Sequence, residues 1–279
     1  MNLRERPLFF DCGGDRLLGV VALPAAASTL GVVIVVGGPQ YRVGSHRQFV
    51  LLARALAEAG VPSIRFDYRG MGDAEGDVHT FESIDADVRS AADALQAEAG
   101  VEKVVLVGLC DGASAALSYC IGDPRVAAVA AINPWARSSA GEAAVRMRYY
   151  YARRLVQPAF WRKLFAGALD MRASTRDLAS TAATVAFARD GEDAPFRARM
   201  QDGLVRFRGP ILVLLSVNDL TAREFEQWID DDRHRRAALR RPDVSVSRIA
   251  NADHTFSESA HRQSAERAIV DWIGYIGNR

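Results

Sequence analysis

Apolar positions along the chain fall into two alternating patterns. Short runs of β-branched and aliphatic residues at 17–23, 31–36, 63–66, 103–107, 126–132, 211–216 and 244–249 have the length of strands. Those at 31–36 and 103–107 are apolar almost without interruption, as strands covered on both faces are. Between these runs, 47–59, 84–99, 112–121, 221–239 and 259–276 carry helical spacing. The first two close on Gly60 and Gly100, residues that stop helices. Strand followed by helix, repeated, predicts a mostly parallel sheet of about eight strands with helices on both faces. From 135 to 209 the strand pattern stops, and the segment is rich in Arg and Ala with aromatics interspersed. That break predicts a helical cap at 135–209 inserted between strands six and seven of a core formed by 1–134 and 210–279.

The chain has 279 residues, enough to bury a large core. With 49% hydrophobic and 25% charged residues it is an ordinary soluble composition, which excludes disordered, collagen-like and coiled-coil classes. Lys and Arg number 35 against 34 Asp and Glu, so nothing recommends nucleic acid as a partner. The charge is uneven, however. Residues 135–209 hold 14 basic and 7 acidic side chains, and the remainder of the chain is negative. The basic segment reads either as a solvated helical surface or as a lid that draws in an anionic substrate. Three cysteines, Cys12, Cys110 and Cys120, are too few and too scattered for a disulfide scaffold or a zinc site. The charged start lacks a secretory apolar region, and the longest apolar run is too short to span a bilayer. The expectation is a reduced, cytoplasmic protein with no transmembrane segment, no metal and no organic cofactor.

The strand at 103–107 leads into Gly108-Leu109-Cys110-Asp111-Gly112 and then a small-residue helix. This is the G-x-nucleophile-x-G elbow with Cys in the nucleophile position. A sharp strand-to-helix turn needs small residues two positions to either side, and Gly108 and Gly112 supply them. The helix N-terminus beneath Cys110 is expected to favour thiolate, and the Asp111 N–H to face a developing oxyanion. Cys120, inside the helix, reads as a core residue.

Of the five histidines, only His254 follows the last strand, in Asn251-Ala252-Asp253-His254-Thr255-Phe256. In this topology that loop lies at the carboxyl edge of the sheet beside the elbow, where an imidazole can shuttle the thiol proton. His46 sits at a helix start, His234 in a charged run and His261 in the last helix. Asp219, after the strand at 211–216, is the candidate orienting carboxylate, since the alternative position after strand six holds the uncharged Asn133. The order Cys110, Asp219, His254 is nucleophile, acid, base.

After the strand at 31–36 comes Gly37-Gly38-Pro39-Gln40. Proline has no N–H, so Gly38 is the expected second oxyanion donor, or Gln40 if the turn is shifted. Asp67-Tyr68-Arg69-Gly70-Met71-Gly72-Asp73 reads as a structural loop, with Arg69 and the carboxylates forming bonds between loops.

Together with Gly37-Gly38-Pro39-Gln40-Tyr41-Arg42, Phe66-Asp67-Tyr68-Arg69-Gly70-Met71-Gly72 and Asn218-Asp219-Leu220-Thr221-Ala222, the elbow makes nearly the whole chain resemble an α/β-hydrolase. In detail it resembles the exosortase A system-associated hydrolases, type 1, which accompany bacterial exopolysaccharide and protein-sorting genes. The Cys nucleophile is also similar to that of dienelactone hydrolases, whose cap differs, and of polyhydroxyalkanoate synthases, which are longer. The resemblance implies an ester or thioester hydrolase working through Cys110, His254 and Asp219 on a small-molecule or lipid-linked acyl substrate, anionic if the cap attracts it. Two other expectations stay open: an acyltransferase using the same thioester, and a non-catalytic binding protein on a hydrolase scaffold.

Overall fold

The computed structural model describes residues 4–37, 41–136 and 195–277. The strands are β1 (Arg4–Cys12), β2 (Asp15–Leu23), β3 (Leu30–Val35), β4 (Ser63–Phe66), β5 (Lys103–Leu109), β6 (Val126–Ile132), β7 (Ile211–Ser216) and β8 (Val244–Ile249). They form one eight-stranded sheet in the order β1-β2-β4-β3-β5-β6-β7-β8. β1 and β2 form an antiparallel hairpin, β2 runs antiparallel to β4, and every pairing from β4 to β8 is parallel. Among the described residues the helices are α1 (Gln48–Glu58), α2 (Asp85–Ala99), α3 (Asp111–Tyr119), α4 (Pro195–Arg206), α5 (Leu220–Asp230), α6 (Arg233–Leu239) and α7 (Ser259–Gly277).

The uninterrupted apolar runs lie at the centre of the sheet. Val32 to Val35 of β3 and Val105 to Val107 of β5 have no exposed surface, because helices cover both faces. β1 has no counterpart in the sequence-based reading. Its first four residues, Arg4-Glu5-Arg6-Pro7, are charged or proline, and only Leu8-Phe9-Phe10 are apolar. It pairs only with β2, at the sheet edge, where charge and proline are tolerated. The Gly13-Gly14 turn between them has φ of 67° and 100°, both positive, as a two-residue hairpin turn demands. The helix expected at 221–239 is two helices, because Asp232 caps α6 by accepting from His234 N and Arg235 N.

Because β3 to β8 run parallel, the loops that follow them all emerge at one edge. β3 continues to β4 on one side, while its neighbour β5 continues to β6 on the other. The crevice at such a reversal is where open parallel sheets bind ligands. The cap expected at 135–209 falls, for 137–194, outside the described residues. The end of that range is described: α4 lies on α3, with Gly203 so close that a Cβ there would stand 1.7 Å from Leu117 O. Phe196 of α4 stacks on Trp135 at 5.2 Å between ring centroids, and Phe81 meets both rings edge-on.

Candidate active site

Cys110 sits between β5 and α3 with φ 56° and ψ −121°. A non-glycine residue held there costs about 1–3 kcal/mol, so its surroundings must impose the conformation. They do so through backbone bonds. Cys110 N donates to Ile132 O at 2.9 Å, and Cys110 O accepts from Ala113 N, Ser114 N and Trp135 N. The glycines permit a backbone-to-backbone approach. A Cβ on Gly108 would lie 2.2 Å from Gly112 O, and one on Gly112 would lie 2.2 Å from Val35 O. Those clashes are the physical content of the small-residue rule in the elbow.

Asp219 has two occupations. It is the N-cap of α5, accepting from Thr221 N at 3.1 Å and Ala222 N at 3.2 Å. Its Oδ2 also accepts from His254 Nδ1 at 2.7 Å. The carboxylate is 6% exposed and has no proton to give when ionised, so Nδ1 is the donor and Nε2 is left as an acceptor. The two loops are stitched together by Asn218, whose N donates to Ala252 O and whose Nδ2 donates to Asn251 O. Asp253, next to His254 in sequence, is taken up by Ser257 N and the Ser257 hydroxyl.

The structure thus pairs Asp219 with His254 directly. It brings Cys110 close enough that the charge of Asp219 acts on its thiol. None of the other four histidines meets a buried carboxylate among the described residues. His46 and His234 are exposed, His79 meets Ser83, and His261 meets the exposed Glu258 at 3.8 Å.

The expectation that the helix N-terminus yields a thiolate is corrected. Burial pushes the Cys110 thiol up to about 12. The Asp111 and Asp219 carboxylates push the same way, and the opposing Asp111 N–H bond does not overcome them. The thiol instead donates to Asp111 Oδ1 at 3.5 Å. Asp111 was expected to act only through its N–H, and its side chain turns out to be the sulfur's partner. A neutral thiol requires a base at the moment of attack, and an imidazole with a free Nε2 is such a base.

Of the expected oxyanion donors, Asp111 N lies at the start of α3 and bonds the Cys110 sulfur, whereas Gly38 and Gln40 lie outside the described residues. Gly37 is described and touches the elbow. A Cβ on it would stand 2.2 Å from Leu109 O, 2.8 Å from Gly112 N and 3.0 Å from Asp111 N. Gly37→Val is therefore expected to part the β3 loop from the elbow. Turnover should fall more than about 10²-fold, the cost of losing one oxyanion donor, and the thermal midpoint should drop, both read on purified protein. An unchanged rate would show that the two loops need not touch.

The Asp67–Asp73 loop is structural, and its bonds explain its sequence. Asp67 is fully buried and accepts from Arg42 N, the Arg42 guanidinium and Asp73 N. It thereby ties Arg42 to the loop after β4. Arg69 forks onto the buried Asp87 of α2, with Nε at 3.1 Å and Nη2 at 2.9 Å. Its guanidinium is spent on that pair.

Sequence reasoning set Asn133 aside as unable to supply a charge. It is fully buried at the end of β6, with φ 44°. Its Oδ1 accepts from Ser216 N at 2.7 Å, and its Nδ2 donates to Ser216 Oγ at 3.0 Å and His254 O at 3.1 Å. The available signal was a lone amide directly after seven apolar strand residues.

Among the described residues no group of His, Cys, Asp and Glu could hold a metal ion, and no helix is long and apolar enough to cross a membrane.

Residues 32–271 match the alpha/beta hydrolase family. No curated relative matches the sequence. The fold is similar to an esterase of Pyrococcus furiosus, with a TM-score of 0.66 and 13% identity over 98% of this chain and 93% of that one. It is also similar to Est1E of Butyrivibrio proteoclasticus with ferulic acid bound, with a TM-score of 0.64 and 14% identity over 98% and 100%. A dienelactone hydrolase of Anabaena variabilis gives a TM-score of 0.61 and 14% identity over 99% of both chains.

Proposed function

The chain belongs to the alpha/beta hydrolase family, and from that premise we propose that it hydrolyses an ester or thioester through a Cys110-His254-Asp219 triad and a covalent acyl-enzyme. The observation that carries this reading is the 2.7 Å bond from His254 Nδ1 to the buried Asp219, with Cys110 held at a strained strand-to-helix elbow. As Sγ attacks the substrate carbonyl, His254 Nε2 takes the thiol proton. The oxyanion that forms is held by the Asp111 N–H and by the N–H of Gly38, or of Gln40. The imidazolium passes its proton to the departing alcohol or thiol. Water, deprotonated by the same imidazole, then attacks the thioester and releases the acid and free Cys110. Asp219 fixes the tautomer throughout and compensates the charge on the ring.

An anionic acyl substrate is favoured by the basic 135–209 segment. A role beside exopolysaccharide and exosortase systems, in the cytoplasm, is favoured by the motif resemblance. The test is intact-mass spectrometry on protein mixed with p-nitrophenyl esters and acyl thioesters of rising chain length. Wild type is expected to gain the mass of the acyl group, and His254→Ala to accumulate it slowly or not at all. Cys110→Ala is expected to gain none. Acylation of Cys110→Ala at the wild-type rate, or the absence of both adduct and product in wild type across the panel, would defeat the proposal.

A further inference from the structure

We infer that Asn133 is a positioning residue that holds the His254 loop through its backbone carbonyl, an inference that rests on His254 being the base of the proposed reaction. His254 lies in a loop with no helix or strand of its own, so bonds to and within that loop set its position. The bond from Nδ1 to Asp219 holds the ring. Asn218 holds the loop at Asn251 and Ala252, and Asn133 Nδ2, donating to His254 O at 3.1 Å, holds the backbone of the residue that carries the ring. Asn133 is itself immobilised. It is fully buried, its N donates to Leu214 O at 2.9 Å, and its amide is fully paired with Ser216 and His254.

The orientation of that amide is not a free choice. Ser216 N can only donate and His254 O can only accept, so Oδ1 must face the first and Nδ2 the second. The backbone narrows the residue further. At φ 44° the position favours Gly, Asn or Asp, and of these only Asn offers an acceptor and two donors together. The next residues extend the strap. Trp135 N donates to Cys110 O at 3.3 Å, and Trp135 O accepts from the Ser114 hydroxyl at 2.6 Å. The segment leaving β6 therefore touches the nucleophile, the base and Ser216, three residues before Asp219.

Asn133→Asp tests this at constant shape and constant backbone preference. It keeps the acceptor for Ser216 N but sets a carboxylate oxygen against His254 O. Asn133→Gly removes the side chain while suiting the positive φ, and keeps the test open if the aspartate variant does not fold. Ser216→Ala removes one acceptor but spares the bond to His254. Two readouts are taken. The first is kcat and KM, per active site counted by acyl adduct. Asn133→Asp should lose about 10- to 100-fold in kcat with little change in KM. Asn133→Gly should lose about tenfold, and Ser216→Ala less than threefold. The second readout, independent of any substrate, is the ring nitrogen spectrum of His254, assigned by its loss in His254→Ala. Wild type and Ser216→Ala should show the Nδ1–H form, and both Asn133 variants a mixture of tautomers. If the Asn133 variants melt lower yet keep the wild-type kcat and tautomer, Asn133 is merely structural and the inference is overturned. If wild type forms no acyl adduct, the proposed reaction fails, and the spectrum alone judges whether Asn133 sets His254.

Discussion

Asp219→Asn should lower turnover of the best acyl substrate by about 10³- to 10⁴-fold while leaving the protein nearly as stable as wild type. The two consequences separate because Asp219 has two occupations. As N-cap of α5 it accepts from Thr221 N and Ala222 N. Asparagine caps helices about as well as aspartate, so that function survives. As partner of His254 Nδ1 it must be an acceptor, and an asparagine that turns its NH₂ toward the ring requires the opposite tautomer. Nε2 would then carry the proton and could no longer take one from the thiol. Asp219→Ala should be as inactive and also lose about 1 kcal/mol of capping, which in a chain of this size lowers the thermal midpoint by a few degrees. Paired kcat and melting measurements decide the matter. Asp219→Asn with near wild-type turnover would remove Asp219 from the triad.

The fold was legible because its signals are local and strong. Uninterrupted apolar runs announce β3 and β5, and glycines announce the ends of α1 and α2 and the elbow. What escaped depended on context. β1 is a strand because an edge accepts Arg4, Glu5 and Pro7, which no period of the sequence reveals. The division of α5 from α6 turns on one capping aspartate, Asp232, within a charged run. In the site, the order of strands points to His254 and, with the uncharged Asn133 after strand six, to Asp219, and their hydrogen bond follows from parallel strands delivering both loops to one edge. The protonation state of Cys110 could not be read that way. A helix N-terminus argues for thiolate, while burial and two carboxylates argue against it, and only the packed structure says which term wins. Asn133 was passed over for the complementary reason. Its hydrogen bonds run to Ser216 at the end of β7 and to His254 in the loop after β8, partners far away in sequence.

Cys110→Ser should retain turnover within about 10²-fold of wild type, in contrast with Cys110→Ala, which should lose about 10⁴-fold or more. Burial pushes the Cys110 thiol up to about 12. At pH 7 the thiol is then overwhelmingly neutral, so attack proceeds by transferring the proton to His254 as the bond forms. A serine hydroxyl reacts by the same transfer, and the elbow would present it in the same place. The shorter C–O bond and weaker nucleophile account for the loss that remains. Alkylation by iodoacetamide gives the matching test without substrate. Its rate at Cys110 should climb about tenfold per pH unit from pH 7 through pH 10, following the thiolate fraction. Asp111→Asn removes the carboxylate that accepts from the sulfur. Losing a negative charge beside the thiolate stabilises it, so the whole curve should move to lower pH and the rate at pH 8 should rise. A plateau in the wild-type rate below pH 8, together with an inert Cys110→Ser, would mean that Cys110 and His254 rest as an ion pair. The general-base step would then give way to direct attack by a preformed thiolate.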